Sequence, residues 1–256
     1  MPDDPFDSPR AVLQRARDHI DDLEARIKAF FDRKPYARVI DFDREASQQV
    51  HKIRLTAKIP GNLAVITKDV LSNLRDALDH AVYASAVMLG NKSPQKTGFP
   101  FAYDAAGVHN KLNKELIDVP SAIRSLLEAL RPHKGGDETL WGLNAVRNTK
   151  THKMLVPLGA ASISGSTEVI TGQVIGPTRM GYHRWDASKN EVEYMRLGPG
   201  SEVYYKFTAS FDVLFGNVEV FGGRQATSTL RVVANEVERI LGAIEAETRR
   251  VLAATS

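Results

Sequence analysis

The sequence contains no cysteine. Disulfides, cysteine-rich zinc sites and thiol nucleophiles are therefore excluded, and such a chain suits a cytoplasmic setting. It also lacks any apolar run approaching the roughly 18 residues that a membrane-crossing helix needs, so no membrane is expected among its partners. The opening stretch, "MPDDPFDSPR", is acidic and carries proline, which is unlike a secretory signal. Long runs of lysine and arginine are missing too. With 34 basic and 31 acidic residues the formal net charge is only +3, which permits a nucleic-acid partner without demanding one. There is no Walker loop, no G-x-G-x-x-G, no G-x-S-x-G and no H-E-x-x-H, so the common nucleotide, esterase and zinc-protease signatures are absent. The seven histidines show no metal-ligand spacing, and neither a metal nor another cofactor is expected.

What is present is an ordinary globular composition over 256 residues, 43% hydrophobic and 25% charged, enough for one sizeable core. Periodicity divides it. Residues 8 to 33 read as a helix, with Ser8 and Pro9 suited to its start and Leu13, Ala16, Ile20, Leu23, Ile27 and Phe30 forming one narrow seam. Alternation then replaces the helical step in "YARVIDFD" and "VHKIRLTAKIP", which predicts two strands able to pair as a hairpin. Pro60 and Gly61 stop the second strand. A long helix follows from about Leu63 to Leu89, ended by the polar "GNKSPQKTG". Shorter helices are expected at about 104 to 116, 120 to 131 and 137 to 150, the last capped by Asp137 and barred from running far by Pro157.

From 158 to 223 the pattern is strand-like, clearest in "SEVYYKFTASFDVLF", where Val203, Tyr205, Phe207, Ala209, Phe211, Val213 and Phe215 share one face. "FGNVEVFGG" predicts a turn and a short return strand. A final helix spans about Thr227 to Leu252. Helices and strands are segregated, so the fold class is α+β: a helical bundle with an N-terminal β-hairpin and an antiparallel sheet inserted before the C-terminal helix. The expected organisation is a single domain, 1–256, with a helical part at about 8–157 plus 225–253 and a β module at about 158–223 covered by helices on one face.

Two hexads stand out. "RDALDH" runs from Arg75 to His80 in the long central helix, and "RNTKTH" runs from Arg147 to His152 at the end of a short one. Imidazole moves protons near neutral pH, and a guanidinium holds two phosphate oxygens at once. Asn148, Lys150 and Lys153 add donors and positive potential to the second hexad, and Asp76 and Asp79 add carboxylates to the first. If the two helices pack together, these residues form one polar cluster. A structural reading stands beside this. Five helical positions turn the chain by about 140°, which separates Arg75 from His80, whereas Arg75 with Asp79 and Asp76 with His80 sit one turn apart as polar pairs. Cations at the end of the second helix likewise suit the negative end of its dipole.

Arg-[Asn/Asp/His]-x3-His resembles the motif of the HEPN superfamily, helical-bundle proteins that include many metal-independent ribonucleases, and both hexads match it. The chain also resembles a bacterial group with "NLR-x-ALDH" in a central helix and a Lys-His pair downstream, which implies no particular activity. The HEPN resemblance covers six residues twice and leaves out the hairpin and the 158–223 strands. It implies a cytoplasmic endoribonuclease acting on RNA as a homodimer, in a toxin–antitoxin or antiviral defence setting with a cognate neutralising protein. His152 and His80 would then be acid/base residues, and Arg147 and Arg75 phosphate clamps. The alternative is a non-enzymatic binding or scaffold protein in which the Arg/Asp/His cluster is structural. "YHRW", with Tyr182 to Trp185 near Arg179, sets cations beside aromatics as base stacking would need, although a loop between strands explains it more simply. "GGRQATS" at 222 to 228 precedes a helix start that could hold an anion, or is only a turn.

Overall fold

The apolar seams build the bundle as their spacing requires. In the computed structural model, which describes residues 4–91, 94, 97–148, 158–186, 188–216 and 218–255 (backbone alone at 158–167, 182–185 and 207–209), the first helix, α1, spans Asp7–Asp32. It buries Leu13, Ala16, Ile20, Leu23, Ile27 and Phe30, the whole predicted seam. The central helix α2, Gly61–Met88, is buried more widely: Leu71, Leu74, Leu78, Ala81 and Val82 have no exposed surface. Each such leucine contributes about 1.5–3 kcal/mol by leaving water. The C-terminal helix α6, Ala226–Thr255, adds Leu230, Val233, Val237, Ile240 and Ile244, and packs against both α1 and α2.

Three short helices close the bundle. These are α3 (Ala105–Lys114), α4 (Ser121–Ala129) and α5 (Glu138–Arg147). Asp104 caps α3 by accepting from Gly107 N–H, and Asp137 caps α5 by accepting from Leu140 N–H. Leu140, Leu143 and Val146 turn α5 into the core, so its end is fixed against α2.

The strands are β1 (Tyr36–Asp43), β2 (Gln48–Leu55), β3 (Leu158–Gln173), β4 (Arg179–Asp186), β5 (Glu191–Leu197) and β6 (Glu202–Phe215). All described pairings are antiparallel. The α+β class, the early hairpin and the strands before the last helix are as the sequence predicts. Three details differ. The hairpin does not belong with the helical part: β2 pairs with β5, giving a four-stranded sheet in the order β1-β2-β5-β4. The cover on that sheet is not helical. It is the two-stranded β3–β6 ribbon, whose Val203, Tyr205 and Phe211 pack on Ile53, Val192, Tyr194, Met195 and Leu197. No return strand forms over 216 to 223 among the described residues; the segment is turns, with one bridge between Leu214 and Gln225. Phe221 accounts for this bend. Its ring lies so close over Gly142 of α5 that a Cβ there would approach it to 2.4 Å.

β6 joins the two cores. Its Val213 and Phe215 sit in the helical core, while Val203, Tyr205 and Phe211 face the sheet. Phe211 also stacks on Phe31 of α1 at 5.9 Å between ring centres. Glu191, 3% exposed, is held by Lys52 at 2.8 Å and Arg54 at 2.8 Å, a cross-strand pair that fixes the β2–β5 register.

The small core contains one titratable group with a measurable consequence. His51 is buried, shares a hydrogen bond of 2.8 Å with the Tyr205 hydroxyl, and has no partner for Nε2 among the described residues. Tyr205 in turn meets the Tyr194 hydroxyl at 2.6 Å, and Arg38 lies over the Tyr205 ring. Burial holds the imidazole neutral and pushes its pKa below the ordinary 6.5. The unfolded chain therefore binds a proton at mildly acidic pH that the folded chain refuses. Stability from this group is complete above about 6.5 and falls as pH drops toward the depressed folded value, by up to about 1.4 kcal/mol per pH unit. Urea midpoints of wild type and His51→Gln from pH 8 to pH 5 should diverge, with wild type losing more. Parallel curves would remove His51 from the acid response.

Candidate functional site

The two hexads meet where α5 ends against α2. Arg75 points into this junction. Its Nη1 donates to Asn144 Oδ1 at 2.7 Å and its Nε to Asp79 Oδ2 at 3.1 Å. The guanidinium carbon lies 4.2 Å from the centre of the Phe101 ring, a cation–π contact in a largely dry setting. Asn144 Oδ1 also accepts from Asn148 Nδ2 at 2.7 Å, so one buried amide oxygen ties both hexads together. Asp79 uses its other oxygen to accept from Phe99 N–H at 2.7 Å, which anchors the chain running toward α3. Burial pulls the Arg75 pKa down, Asp79 pulls it back up, and the neighbouring positive charge of Arg147 lowers it again.

Arg147 and Asn148 occupy the exposed rim. Asn148 is the C-cap of α5, its backbone N–H bonded to the Asn144 carbonyl. Arg147 reaches Asp76 only at 3.9 Å and touches Asn148 Oδ1 at 3.4 Å, loose contacts that leave its guanidinium available to an anion. The helix ends at Arg147, three residues before the predicted boundary, because Asn148 takes up the capping position. Lys150, His152 and Lys153 lie outside the described residues.

His80 does not join this junction. The helical turn carries it away from Arg75, and its Nδ1 shares a hydrogen bond of 3.0 Å with Ser8 Oγ at the start of α1. There it lines a cleft of about 430 Å³ together with Ser8, Asp79, Tyr83 and Val87.

Neither protein-family models nor curated proteins nor solved structures match this chain. The site must be read from its own chemistry. Of the candidate residues, Arg75, Asp76, Asp79, Arg147 and Asn148 come together, and His80 stands on the adjoining face. Asn144, Phe101, Ser8 and Tyr83 are not marked by either hexad. Asn144 had a usable signal, a polar residue on an apolar helix face one turn before Asn148. Tyr83 also had one, since it follows His80 by three positions on the same face.

The candidates outside the hexads hold less. "YHRW" lies within β4, a strand and not a loop, and its side chains are outside the described set. "GGRQATS" forms the turn into α6. Among the described residues no cluster of acidic and histidine side chains has the arrangement of a metal site. No helix among them is long and apolar enough to cross a membrane.

Proposed function

We propose that the chain is an HEPN-like, metal-independent endoribonuclease in which the second hexad acts on RNA and the first holds it in position. The observation that carries this reading is the junction itself. Two Arg-[Asn/Asp]-x3-His hexads, far apart in sequence, are linked through Asn144, and only the second presents its arginine at the surface. Arg147 holds a phosphodiester by two oxygens, with Asn148, Lys150 and Lys153 adding donors and positive potential. His152 serves as the acid/base residue. The ribose 2′-hydroxyl loses its proton and attacks the adjacent phosphorus, the bond to the 5′-oxygen breaks, and that oxygen leaves protonated. The products are a 2′,3′-cyclic phosphate and a 5′-hydroxyl end. Arg75 is a positioning residue here: its guanidinium fixes Asn144 and, through it, Asn148.

A second reading is favoured by one specific observation. Arg75 makes all its described contacts inside the fold, with Asp79, Asn144 and Phe101, as a purely structural bracket in a scaffold or binding protein would. Incubation of single-stranded RNA with wild type, His152→Ala and His80→Ala in EDTA separates the two. The ribonuclease reading expects cleavage to cyclic-phosphate ends by wild type and loss of about 100-fold or more in His152→Ala. Intact RNA with wild type, or equal cleavage by all three proteins, would leave the scaffold.

A further inference from the structure

We infer that the cleft beside His80 is a subsite for a neutral nucleobase, continuous with the phosphate-facing rim at Arg147. Its place in RNA cleavage rests on the function proposed above; its capacity to bind a base does not.

The inference starts from one face of α2. Asp76, His80, Tyr83 and Val87 are spaced i, i+4, i+7 and i+11, so they lie within one stripe along the helix. The central helix carries much of the buried core, yet Tyr83 and Val87 are 46% and 39% exposed. Val65 of the same helix is open as well, but Tyr83 and Val87 stand together on one stripe beside a cleft. Both line a space of about 430 Å³, within the range that small-molecule sites occupy.

The polar groups define the occupant. Asp79 borders the cleft, but both of its oxygens are engaged, by Arg75 and by Phe99 N–H, so it offers little to a cation. Among the described residues no Lys or Arg lines the space, so none of them neutralises an anion there. What remains is the hydroxyls of Ser8, Thr97 and Tyr83 and the His80 ring, whose Nδ1 is paired with Ser8 and whose Nε2 makes no hydrogen bond among the described residues. In either tautomer Nε2 is one donor or one acceptor, which suits the edge of an uncharged heterocycle. The Tyr83 ring offers a face for stacking, and Pro5 and Val87 give apolar walls. A planar, neutral ring with hydrogen-bonding edges is the ligand these groups describe.

Its position points to a base of a polynucleotide. The stripe begins at Asp76, the contact of Arg147, and Tyr83 lies two turns further, about 10 Å along the axis. A phosphate at Arg147 and the base of a neighbouring nucleotide at Tyr83 bridge that span without crossing the buried bracket.

Binding of the four free nucleosides, measured by calorimetry on the full chain without any cleavage readout, tests the subsite. At least one nucleoside should saturate at millimolar or lower concentration. Tyr83→Ala should weaken it about fivefold or more, Tyr83→Phe should not, and His80→Ala should alter the preference among bases. Arg147→Ala should leave nucleoside binding intact but weaken a non-cleavable 2′-O-methyl oligonucleotide, which should displace the nucleoside. No saturable binding by any nucleoside, or equal binding by Tyr83→Ala, overturns the subsite. An oligonucleotide that fails to displace a bound nucleoside overturns its continuity with the RNA path. Absence of RNA cleavage with nucleoside binding intact sinks the ribonuclease and spares the base site.

Discussion

Asp79→Ala should destabilise the fold by about 2–4 kcal/mol, more than removal of its partner, Arg75→Met, which should cost about 1–2 kcal/mol. The asymmetry follows from what each change leaves behind. Asp79 neutralises a guanidinium whose side chain is only 14% exposed, and it also accepts the Phe99 N–H. Without the carboxylate, a mostly dry positive charge keeps only the Asn144 oxygen and the Phe101 ring, and a backbone donor loses its acceptor. Without the guanidinium, by contrast, Asp79 retains the Phe99 N–H and is itself 31% exposed, so water satisfies the rest. Methionine fills most of the arginine's stem volume and keeps contact with the Phe101 ring. For a chain of this size the Asp79→Ala loss corresponds to a fall in Tm of about 5–15 °C. The double variant, Arg75→Met with Asp79→Ala, should regain part of it, since the unpaired charge has gone. Thermal unfolding of the three variants decides the matter. Arg75→Met falling below Asp79→Ala, or a double variant that is merely the sum of the two, would mean that no buried charge needs its partner here.

How much of this the sequence carries differs from element to element. The α1 seam is recovered residue for residue, because its period of three and four has only one solution and the opposite face is charged. The divergence of Arg75 and His80 is also legible, since it follows from the helical turn alone. The partner of β2 is not. Alternation assigns its faces but says nothing about which strand lies alongside, and its neighbour β5 is more than 130 residues away. "FGNVEVFGG" misleads for a related reason. Val218 and Val220 alternate as in a strand, yet the Phe221 ring packs over Gly142, and only the packed α5 reveals that contact. At the junction, Asn144 inside "LWGLNAV" is legible only as a polar residue one turn before Asn148, with no partner indicated. Its function as a shared acceptor exists only once α2 has brought Arg75 to it.

The largest kinetic effect is expected at Arg147. Under the ribonuclease reading, Arg147→Ala should lower kcat/KM on single-stranded RNA by about 100- to 1,000-fold, the loss typical of one preorganised donor to a charged transition state. Stability should scarcely change. Arg147 is exposed, its contact with Asp76 is 3.9 Å long, and surface pairs of that kind contribute at most about 1 kcal/mol. Arg147→Lys should fall between the two, because an ammonium keeps the charge but cannot hold two phosphate oxygens in a planar fork. Arg75→Met should behave in the opposite way. Its guanidinium is turned to Asn144 and not to solvent, so most of its activity loss should track the loss of folded structure and shrink on cooling, and the remainder in fully folded protein measures its positioning of Asn148. The two hexads have the same residue pattern but opposite signatures: rate without stability at 147, stability ahead of rate at 75. Wild-type cleavage by Arg147→Ala, or a Tm for that variant as low as that of Asp79→Ala, would show that the exposed arginine is not the phosphate clamp.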